Sequence, residues 1–506
     1  MNYLKIKLFQ TAILFVLIIS SCYAGPKPGG IKIGWAMEDI TPDEPVSLKG
    51  QYYERISKYV ESPLKVTAWA IEGVGKDGKR EQLIMISADV VSFKGSQQDM
   101  LRDKLKQQLP DFDVNKLFLN ATHNHSSLST EPDSKYNDML VKKMSEAAVN
   151  AWKGRKTGGI SYELGYAVVG HNRRVEYADG SAQMYGETNR PDFIGLEGPE
   201  DPAVQMLFCW DINEKLTGII VNVACPAQVT EAKYYVSADY WGKLRDEMER
   251  EFPGVYILPQ CSAAGDISPR DLVRDYKPNE PDMWDVSGTI EIGKRLMHTI
   301  NKAYPDAKRG IRTEVIFEHK IKNIDIPTRR YSKAEYEKAK SIVKKIHSKE
   351  PKDPNSSETA WNRFLKELKE NEQTKKHGPW DNKMSDFGIV KKQEALIEAY
   401  EQQDKNKLYP VELHAIRLDN VAFATNPFEL FVDYGFRIQA RSQATQTMLI
   451  QLAGGNYGGY LPTQRAVSTA EHYRGYSATV NNVGPEGGQR LVDESVNTIN
   501  SLFEKE

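Results

Sequence analysis

Apolar runs of strand length alternate with amphipathic stretches of helix length, and this alternation limits the fold more than any other feature of the sequence. The run "EQLIMISADV" at 81–90 predicts a buried strand, and "KLFLN" at 116–120 predicts the next one. Between them Ser96 can cap a helix that Pro110 ends. The leucines of that helix recur four residues apart, at Leu101, Leu105 and Leu109. This β-α-β pattern predicts an α/β or mixed α+β core.

The later part of the chain adds a hairpin and a helical insertion to this core. The runs "AVQMLFCWD" and "TGIIVNVA" predict a hairpin that turns at Asn213 and Glu214. A helix through "WGKLRDEMEREF" and a strand "VYILPQ" follow. Residues 332–407 are instead typical of charged amphipathic helices. We therefore predict one large catalytic domain over residues 30–506, with a charged helical insertion at 332–407.

Side chains capable of catalysis or metal binding follow five of the predicted strands. They are His123 and His125, Cys225, the segment "CSAAGDISPRD", Glu429, and the segment "NYGGY". Functional sites of α/β proteins gather where the carboxyl ends of strands meet at one edge of a sheet. A polar loop can follow any strand, so a single stretch indicates little. All five together favour one shared site.

The composition excludes some classes of partner. Charged residues make up 27% of the 506 residues and the net charge is −2, so no basic excess would attract nucleic acid or an anionic membrane surface. No apolar stretch after the N-terminal region is long enough to span a bilayer. We therefore expect no nucleic-acid partner, and membrane contact only through an N-terminal lipid anchor.

The N-terminus has the features of an export signal. Lys5 and Lys7 precede the apolar run "TAILFVLII", and "SSCYAG" follows with small residues. The segment ending at Cys22 resembles a bacterial lipoprotein box, in which Cys22 would be acylated; cleavage after Ala24 is the alternative. We predict a signal over residues 1–24 and a mature protein in the periplasm or at the cell surface. Three cysteines remain, Cys209, Cys225 and Cys261, and an odd number leaves at least one unpaired or bound to something else.

Several of these stretches, in this order, resemble the neutral (non-lysosomal) ceramidase family over most of the chain after the signal. Residues 122–126 match the family segment T-H-x-H-S, residues 265–269 match G-D-x-S-P, and residues 456–460 match N-x-Y-x-x-Y. The pair Asn172–Arg173 resembles the family's N-R pair. The resemblance implies the fold of the family's N-terminal catalytic domain in a short, exported bacterial member without the C-terminal β domain.

The resemblance also implies roles for individual residues. Zinc would be bound by His123, Glu429 and Tyr460. Catalytic roles would fall to His125, Arg173, Asp266, Ser268, Tyr457 and Tyr473, although the spacing before Tyr473 differs from the family pattern. Where the family has its second zinc histidine, this chain has "VNVACPAQVTE". A thiolate is a good zinc ligand, so Cys225 could complete a tetrahedral site. The alternative is that the metal is lost and Cys225 is a packed thiol or is bonded to Cys261.

These residues suit two reactions. Amide hydrolysis needs a metal-activated water and a group that polarises the carbonyl. Eliminating water from a uronic acid needs a clamp on the carboxylate, a base for the C5 proton and an acid for the leaving 4-hydroxyl. Arg173, with Arg174, could be the clamp, and His123 or His125 the base. Tyr457, Tyr460 or Tyr473 could be the acid.

We predict from the sequence an exported, carbohydrate-active dehydratase or lyase that removes water from a uronic acid at the non-reducing end of an oligosaccharide. The first alternative is a ceramidase-like zinc amidohydrolase that cleaves N-acyl bonds of ceramide-type lipids. The second is a non-catalytic lipoprotein that binds glycans. Binding modules need aromatic platforms but no acid–base pairs, so the histidines and carboxylates favour an enzyme.

Overall fold

The fold is a four-layer arrangement in which two β-sheets pack face to face and helices cover the outer faces. The computed structural model describes residues 29–51, 53–131, 134–274, 283–374, 385–469 and 476–504. The strands are β1 (Gly29–Asp39), β2 (Ser47–Leu48), β3 (Arg55–Ile56), β4 (Lys65–Val74), β5 (Arg80–Ala88), β6 (Leu117–Ala121), β7 (Lys156–Tyr166), β8 (His171–Asn172), β9 (Arg174–Tyr177), β10 (Ala182–Met184), β11 (Phe193–Leu196), β12 (Ala203–Asp211), β13 (Leu216–Val223), β14 (Tyr256–Cys261), β15 (Ile267–Ser268), β16 (Glu314–Val315), β17 (Phe317–Pro327), β18 (Leu408–Leu418), β19 (Val421–Thr425), β20 (Glu429–Leu430), β21 (Gln446–Ile450) and β22 (Tyr460–Leu461). The helices are α1 (Gly95–Gln108), α2 (Asn137–Lys153), α3 (Asp239–Glu251), α4 (Val286–Arg309), α5 (Lys333–His347), α6 (Ala360–Thr374), α7 (Asp386–Gln402), α8 (Val432–Arg441), α9 (Gln464–Thr469) and α10 (Pro485–Ser501).

The first sheet is mixed, and its strand order is β14-β13-β12-β7-β1-β4-β5-β6, with β16 paired to β1. Its two end pairs, β5 with β6 and β13 with β14, are parallel, whereas the pairs between them are antiparallel. The second sheet has the order β17-β18-β19-β21. In a parallel pair the carboxyl ends of both strands lie at the same edge of the sheet. Residues that follow β5 and β6 therefore lie close together, as do residues that follow β13 and β14.

Period-two alternation divides the side chains of each sheet between an inner and an outer layer. In β4, Trp69 and Ile71 face the second sheet, whereas Ala68 and Ala70 face the helices. The inner layer joins the two sheets in one buried cluster that includes Met85, Phe118, Ile220, Phe423 and Met448. Burying each such side chain contributes roughly 1.5–3 kcal/mol, so this layer holds the sheets together.

Helices bury apolar stripes on the outer faces. Helices α1 and α2 pack on one half of the first sheet, and α3 and α4 pack on the other half. Helices α8 and α10 cover the back of the second sheet. Leu101, Leu105 and Leu109 are buried as predicted, but helix α1 begins at Gly95, one residue before the predicted Ser96 cap. The reason is that the backbone N–H of Lys94 already donates to the side chain of Gln97, at 2.8 Å.

Helices α5, α6 and α7 occupy the region of the predicted helical insertion. Helix α5 begins with a capping box, in which Ser332 accepts from the backbone N–H of Glu335 and the Glu335 carboxylate accepts from that of Ser332. Helices α5 and α7 pack through small clusters such as Ile346 with Ile389. Along the described part of the chain, no helix is both long and apolar enough to cross a membrane. The predicted export signal and Cys22 lie outside the described residues.

Candidate functional site

The candidate site lies where strands of both sheets end. His123 follows β6, Gln228 and Glu231 follow β13, and Ser268 follows β14. Glu429 follows β19 of the second sheet and lies in β20, which forms a separate two-stranded sheet with β22 and pairs Glu429 with Tyr460. Backbone hydrogen bonds join the two contributions, including the one from the Gly265 N–H to the Leu430 carbonyl, at 2.8 Å. The structure therefore brings most of the predicted stretches to one place.

The two histidines and Glu429 direct acceptor atoms at one point. His123 has a φ of +58°, which turns its ring back so that Nδ1 lies 2.9 Å from the Val91 carbonyl. A carbonyl can only accept, so Nδ1 carries a proton. Nε2 of His123 then faces Oε2 of Glu429 at 3.2 Å and Nε2 of His125 at 3.3 Å. Three acceptor atoms, Nε2 of His123, Nε2 of His125 and Oε2 of Glu429, therefore lie around one point.

Glu429 is a buried carboxylate held in its charged form. Burial alone would raise its pKa, but His123, the hydroxyl of Tyr457 that donates to it, and Arg173 together lower the pKa to about 2. A carboxylate with so low a pKa is a weak base. We therefore assign Glu429 an electrostatic role beside His123 rather than proton removal from a substrate.

His125 is held as a neutral imidazole whose tautomer can be inferred from its neighbours. The guanidinium of Arg173 can only donate, so the Gln228 oxygen, 3.3 Å away, must accept from it. The Gln228 amide nitrogen then donates to Nε2 of His125 at 2.8 Å. The proton of His125 is consequently on Nδ1, which lies 3.2 Å from Oε2 of Glu231, although the ring is not aligned for a good hydrogen bond. Burial and the nearby His123 lower the pKa of His125 well below its usual range.

Arg173 is a buried residue that donates hydrogen bonds to several residues of the site. Only 1% of the residue is exposed, and its Nη atoms donate to the side chains of Tyr185, Gln228 and Tyr460 and to the Gly265 carbonyl, at 2.9–3.3 Å. Tyr185 in turn donates to Glu231 at 3.0 Å. Because Arg173 donates to acceptors of the protein itself, it does not form the predicted clamp on a substrate carboxylate. We assign Arg173 the orientation of Gln228 and the polarisation of the two tyrosine hydroxyls.

Arg174 and Asp266 serve the framework around the site. The buried guanidinium of Arg174 is paired with Glu197 through two contacts of 2.8 and 2.7 Å, so it does not assist a substrate clamp. Asp266 accepts from the Asn172 amide at 3.0 Å and from the backbone N–H of Val432 at 2.8 Å. Burial raises the pKa of Asp266 to about 6. These bonds fix the loop after β14 against β8 and the start of α8.

Ser268 lies next to the Tyr185 hydroxyl, to which its side chain is hydrogen-bonded. Its position is set by the pairing of β15 with β8, which places Ser268 opposite His171. The buried chain of contacts therefore runs from Ser268 through Tyr185 to Glu231 and His125. Tyr473, the last predicted site residue, lies outside the described residues.

Comparison with solved structures identifies the fold. A ceramidase complexed with C2 matches 94% of this chain at 17% sequence identity, with a TM-score of 0.64 and 75% of its own chain covered. The neutral ceramidase from Pseudomonas aeruginosa matches 94% of this chain at 18% identity, with a TM-score of 0.62 and 75% of its own chain covered. The chain has the neutral ceramidase fold. No protein-family profile and no curated protein sequence matches it.

The ceramidase fold confirms two predictions, the resemblance to neutral ceramidases and the mixed α/β class.

Cys225 does not occupy the position of the predicted zinc ligand. Its thiol is directed at the carbonyls of Val169 and Pro226, each 3.5 Å away, and it packs in the apolar cluster beneath α3 and α4. Burial, with Cys261 nearby, raises the pKa of this thiol well above its usual range. Cys209, Cys225 and Cys261 are all free and buried, so the suggested disulfide is wrong and the packed-thiol alternative describes Cys225.

The zinc set implied by the ceramidase resemblance fits only in part. His123 Nε2 and Glu429 Oε2 are 3.2 Å apart, close to the roughly 3.4 Å expected between two ligands of one tetrahedral zinc. Tyr460, however, accepts from the cationic Arg173, and the lone pair of His125 Nε2 accepts from Gln228. Among the described residues, no three or more His, Cys, Asp and Glu side chains are grouped to hold a metal ion. The four-ligand set does not fit, and we derive no step through a metal.

Sequence reasoning missed Tyr185, Gln228 and Glu231. Gln228 and Glu231 lie in "CPAQVTE", the same turn that lacks the family's histidine, and two residues separate them. An amide and a carboxylate in a turn after a buried strand were a usable signal for partners of His125. Tyr185 follows β10 with a φ of +52°, and nothing in its local sequence indicates the site.

Proposed function

We propose that the chain is a hydrolase of the ceramidase type that cleaves the amide bond of an N-acyl substrate. The observation that carries this proposal is the placement of His125 between Glu231 and Gln228, with Nε2 directed at the point shared with His123 and Glu429. A neutral imidazole with a carboxylate behind its protonated nitrogen is the arrangement of a general base. The fold shared with two ceramidase structures supports the choice of hydrolysis.

The proposed reaction follows from the proton positions. The attacking water first replaces the Gln228 amide at Nε2 of His125. Nε2 then takes a proton from that water, and the negative charge of Glu231 stabilises the imidazolium that forms. The oxygen of the new carbon–oxygen bond comes from that water, and the carbonyl oxygen gains negative charge. Tyr460, whose hydroxyl lies 3.2 Å from the Arg173 guanidinium, is the donor we assign to this oxygen. As the carbon–nitrogen bond breaks, His125 returns its proton to the leaving amine.

Water elimination from a uronic acid is the second candidate. The observation that favours it is the altered ligand set, because Cys225 is directed at Val169 and Gln228 binds His125. Elimination needs a base and an acid but no metal-activated water. His125 would remove the C5 proton, and Tyr457 or Tyr460 would protonate the departing 4-hydroxyl, leaving a double bond between C4 and C5. The buried Arg173 weighs against this candidate, since the predicted carboxylate clamp is occupied by the protein's own acceptors.

One pair of assays separates the candidates. Ceramide-type N-acyl substrates should release fatty acid, and His125→Ala should reduce that rate by about 10²–10⁴-fold while the folded secondary structure persists. Uronate-ended oligosaccharides should remain unchanged. If they instead gain near-ultraviolet absorbance and lose the mass of one water while N-acyl substrates are untouched, elimination replaces hydrolysis. Glycan binding without turnover in either assay would favour the non-catalytic alternative.

A further inference from the structure

We propose that the helical insertion selects the substrate by supporting the loop that covers His125. The described residues 49–51 and 53–54 of the connection from β2 to β3 are called the cover loop below. The inference rests on the proposed function only in taking His125 to lie at the reacting bond, whichever bond that is.

The backbone of the cover loop lies directly on the His125 ring. Gly50 has a φ of +100°, and a side chain there would overlap the imidazole. The backbone N–H of Lys49 donates to the Ser127 carbonyl at 3.1 Å, which keeps the loop against the histidine segment. A substrate therefore reaches His125 beside this loop rather than through it.

Side chains of the hairpin also contact the site. Gln51 donates to Oε2 of Glu231 at 3.2 Å, the oxygen that faces His125. Arg55, which is buried, donates to the carbonyls of Lys49, His125 and Lys233 at 2.6–2.7 Å. The cover loop is thus fixed at its base and connected to the partner of the general base. A displacement of the loop would change both the space above His125 and the position of Glu231.

The other side of the cover loop contacts the helical insertion. The ring of Tyr53 packs edge-on against Phe364 of α6, with 6.0 Å between centroids. Phe364 is 1% exposed and contacts Trp361 and Phe387, so three aromatic rings of α6 and α7 form one cluster behind Tyr53. The remainder of α6 is strongly charged, which makes this cluster a specific apolar contact.

Trp361 extends the cluster to the surface. It is 42% exposed, although its ring lies 4.8 Å from Phe387 and 5.7 Å from Phe364. An indole face held this way offers a large apolar surface on which a hydrocarbon chain can pack. The geometry points to an extended substrate, whose reacting bond lies at His125 beside the cover loop and whose remote hydrocarbon portion lies on Trp361.

The experiment compares two substrates that share the reacting bond and differ in the length of the remote portion. Trp361→Ala should raise KM for the long substrate about tenfold and leave kcat and the short substrate unchanged. Phe364→Ala should reduce the preference for the long substrate. Lys366→Ala, on the exposed face of α6, is the matched control and should leave both substrates unaffected. An unchanged ratio of kcat/KM values in both aromatic variants would overturn substrate selection by the insertion.

A second measurement does not depend on knowing the substrate. Hydrogen exchange of the cover loop should become faster in Phe364→Ala than in the wild type or in Lys366→Ala. Unchanged protection of the cover loop would overturn the supporting role of the insertion, even if the enzyme is fully active. Conversely, a wild-type protein inactive on N-acyl and uronate substrates would contradict the proposed function, whereas faster exchange would still support the link from insertion to loop.

Discussion

At the scale of single residues, the surroundings of His125 differ most from those that the sequence predicted. The predicted zinc ligand Cys225 is packed away, and the amide of Gln228 occupies the lone pair of His125 Nε2. Glu231 faces the opposite nitrogen of the ring. Gln228 and Glu231 therefore determine which nitrogen of His125 carries its proton.

The first prediction tests Glu231 as the partner of His125. Glu231→Gln keeps the side-chain volume but removes the charge that stabilises the imidazolium, so kcat should fall by about 10²-fold or more with little change in KM. The measurement is steady-state kinetics with circular dichroism as a check on folding. Glu146→Gln, on the outer part of α2, is the control and should retain full activity. Full activity of Glu231→Gln would contradict the assigned role.

The second prediction separates steric contact from backbone strain at Gly50. Gly50 and Gly78 both have a positive φ, but an added Cβ at Gly78 meets open space, whereas one at Gly50 overlaps His125. Each alanine variant should lose about 1 kcal/mol of stability through strain. Only Gly50→Ala should also lower kcat, by roughly tenfold or more, because the ring or the loop must move. Equal kcat values for both variants would show that the loop does not constrain the histidine.

At the scale of elements, a partly buried charge network joins α1 to β18. Arg102 on α1 contacts Glu412 on β18 at 2.7 and 3.0 Å, and Glu412 accepts from His414 at 2.8 Å. Nδ1 of His414 is in turn hydrogen-bonded to Nε2 of His319 on β17, at 2.9 Å. The network attaches a helix of the first sheet to the second sheet close to the loop that carries Tyr457.

The third prediction concerns acid stability through Glu412. Burial alone would raise the pKa of Glu412, but His414 and Arg102 lower it to about 2. A carboxyl with a lowered pKa stabilises the fold fully above its unfolded-state pKa of about 4.3 and loses that contribution as the pH falls toward 2. Glu412→Gln should therefore cost on the order of 1–3 kcal/mol at pH 7, measured by urea unfolding. Near pH 2 the difference from wild type should largely vanish; a constant difference across this range would contradict the linkage.

At the scale of the whole molecule, the sequence predicted the fold class because hydrophobic periodicity is a local property. The leucine spacing of α1 and the turn at Asn213 and Glu214 appear in the structure as helix and hairpin. The surroundings of His125 could not be predicted in the same way, because Gly50 contacts His125, and Tyr185 contacts its partner Glu231, only through long-range packing. The identity of such partners depends on the tertiary fold rather than on spacing along the chain.

The fourth prediction concerns where the whole protein resides, which we propose to be the periplasm or cell surface through acylation of Cys22. Cys22→Ser should release the protein from the membrane fraction or leave it unprocessed, as judged by fractionation and intact mass. Cys209→Ser is the control, because this buried thiol in β12 has no part in export. A soluble wild-type protein that begins at Gly25 would favour ordinary signal cleavage instead.

The construction of the site from segments far apart in the sequence has a consequence for folding. His123 and His125 follow β6, near the start of the chain, whereas Glu429 and Tyr460 belong to the pair β20–β22, near its end. Contacts of such long sequence separation form slowly, because the chain loses entropy on closing a long loop before the contact can stabilise it. During synthesis the histidines emerge long before their carboxylate partner. Recovery of activity after dilution from denaturant should therefore lag behind recovery of helical signal.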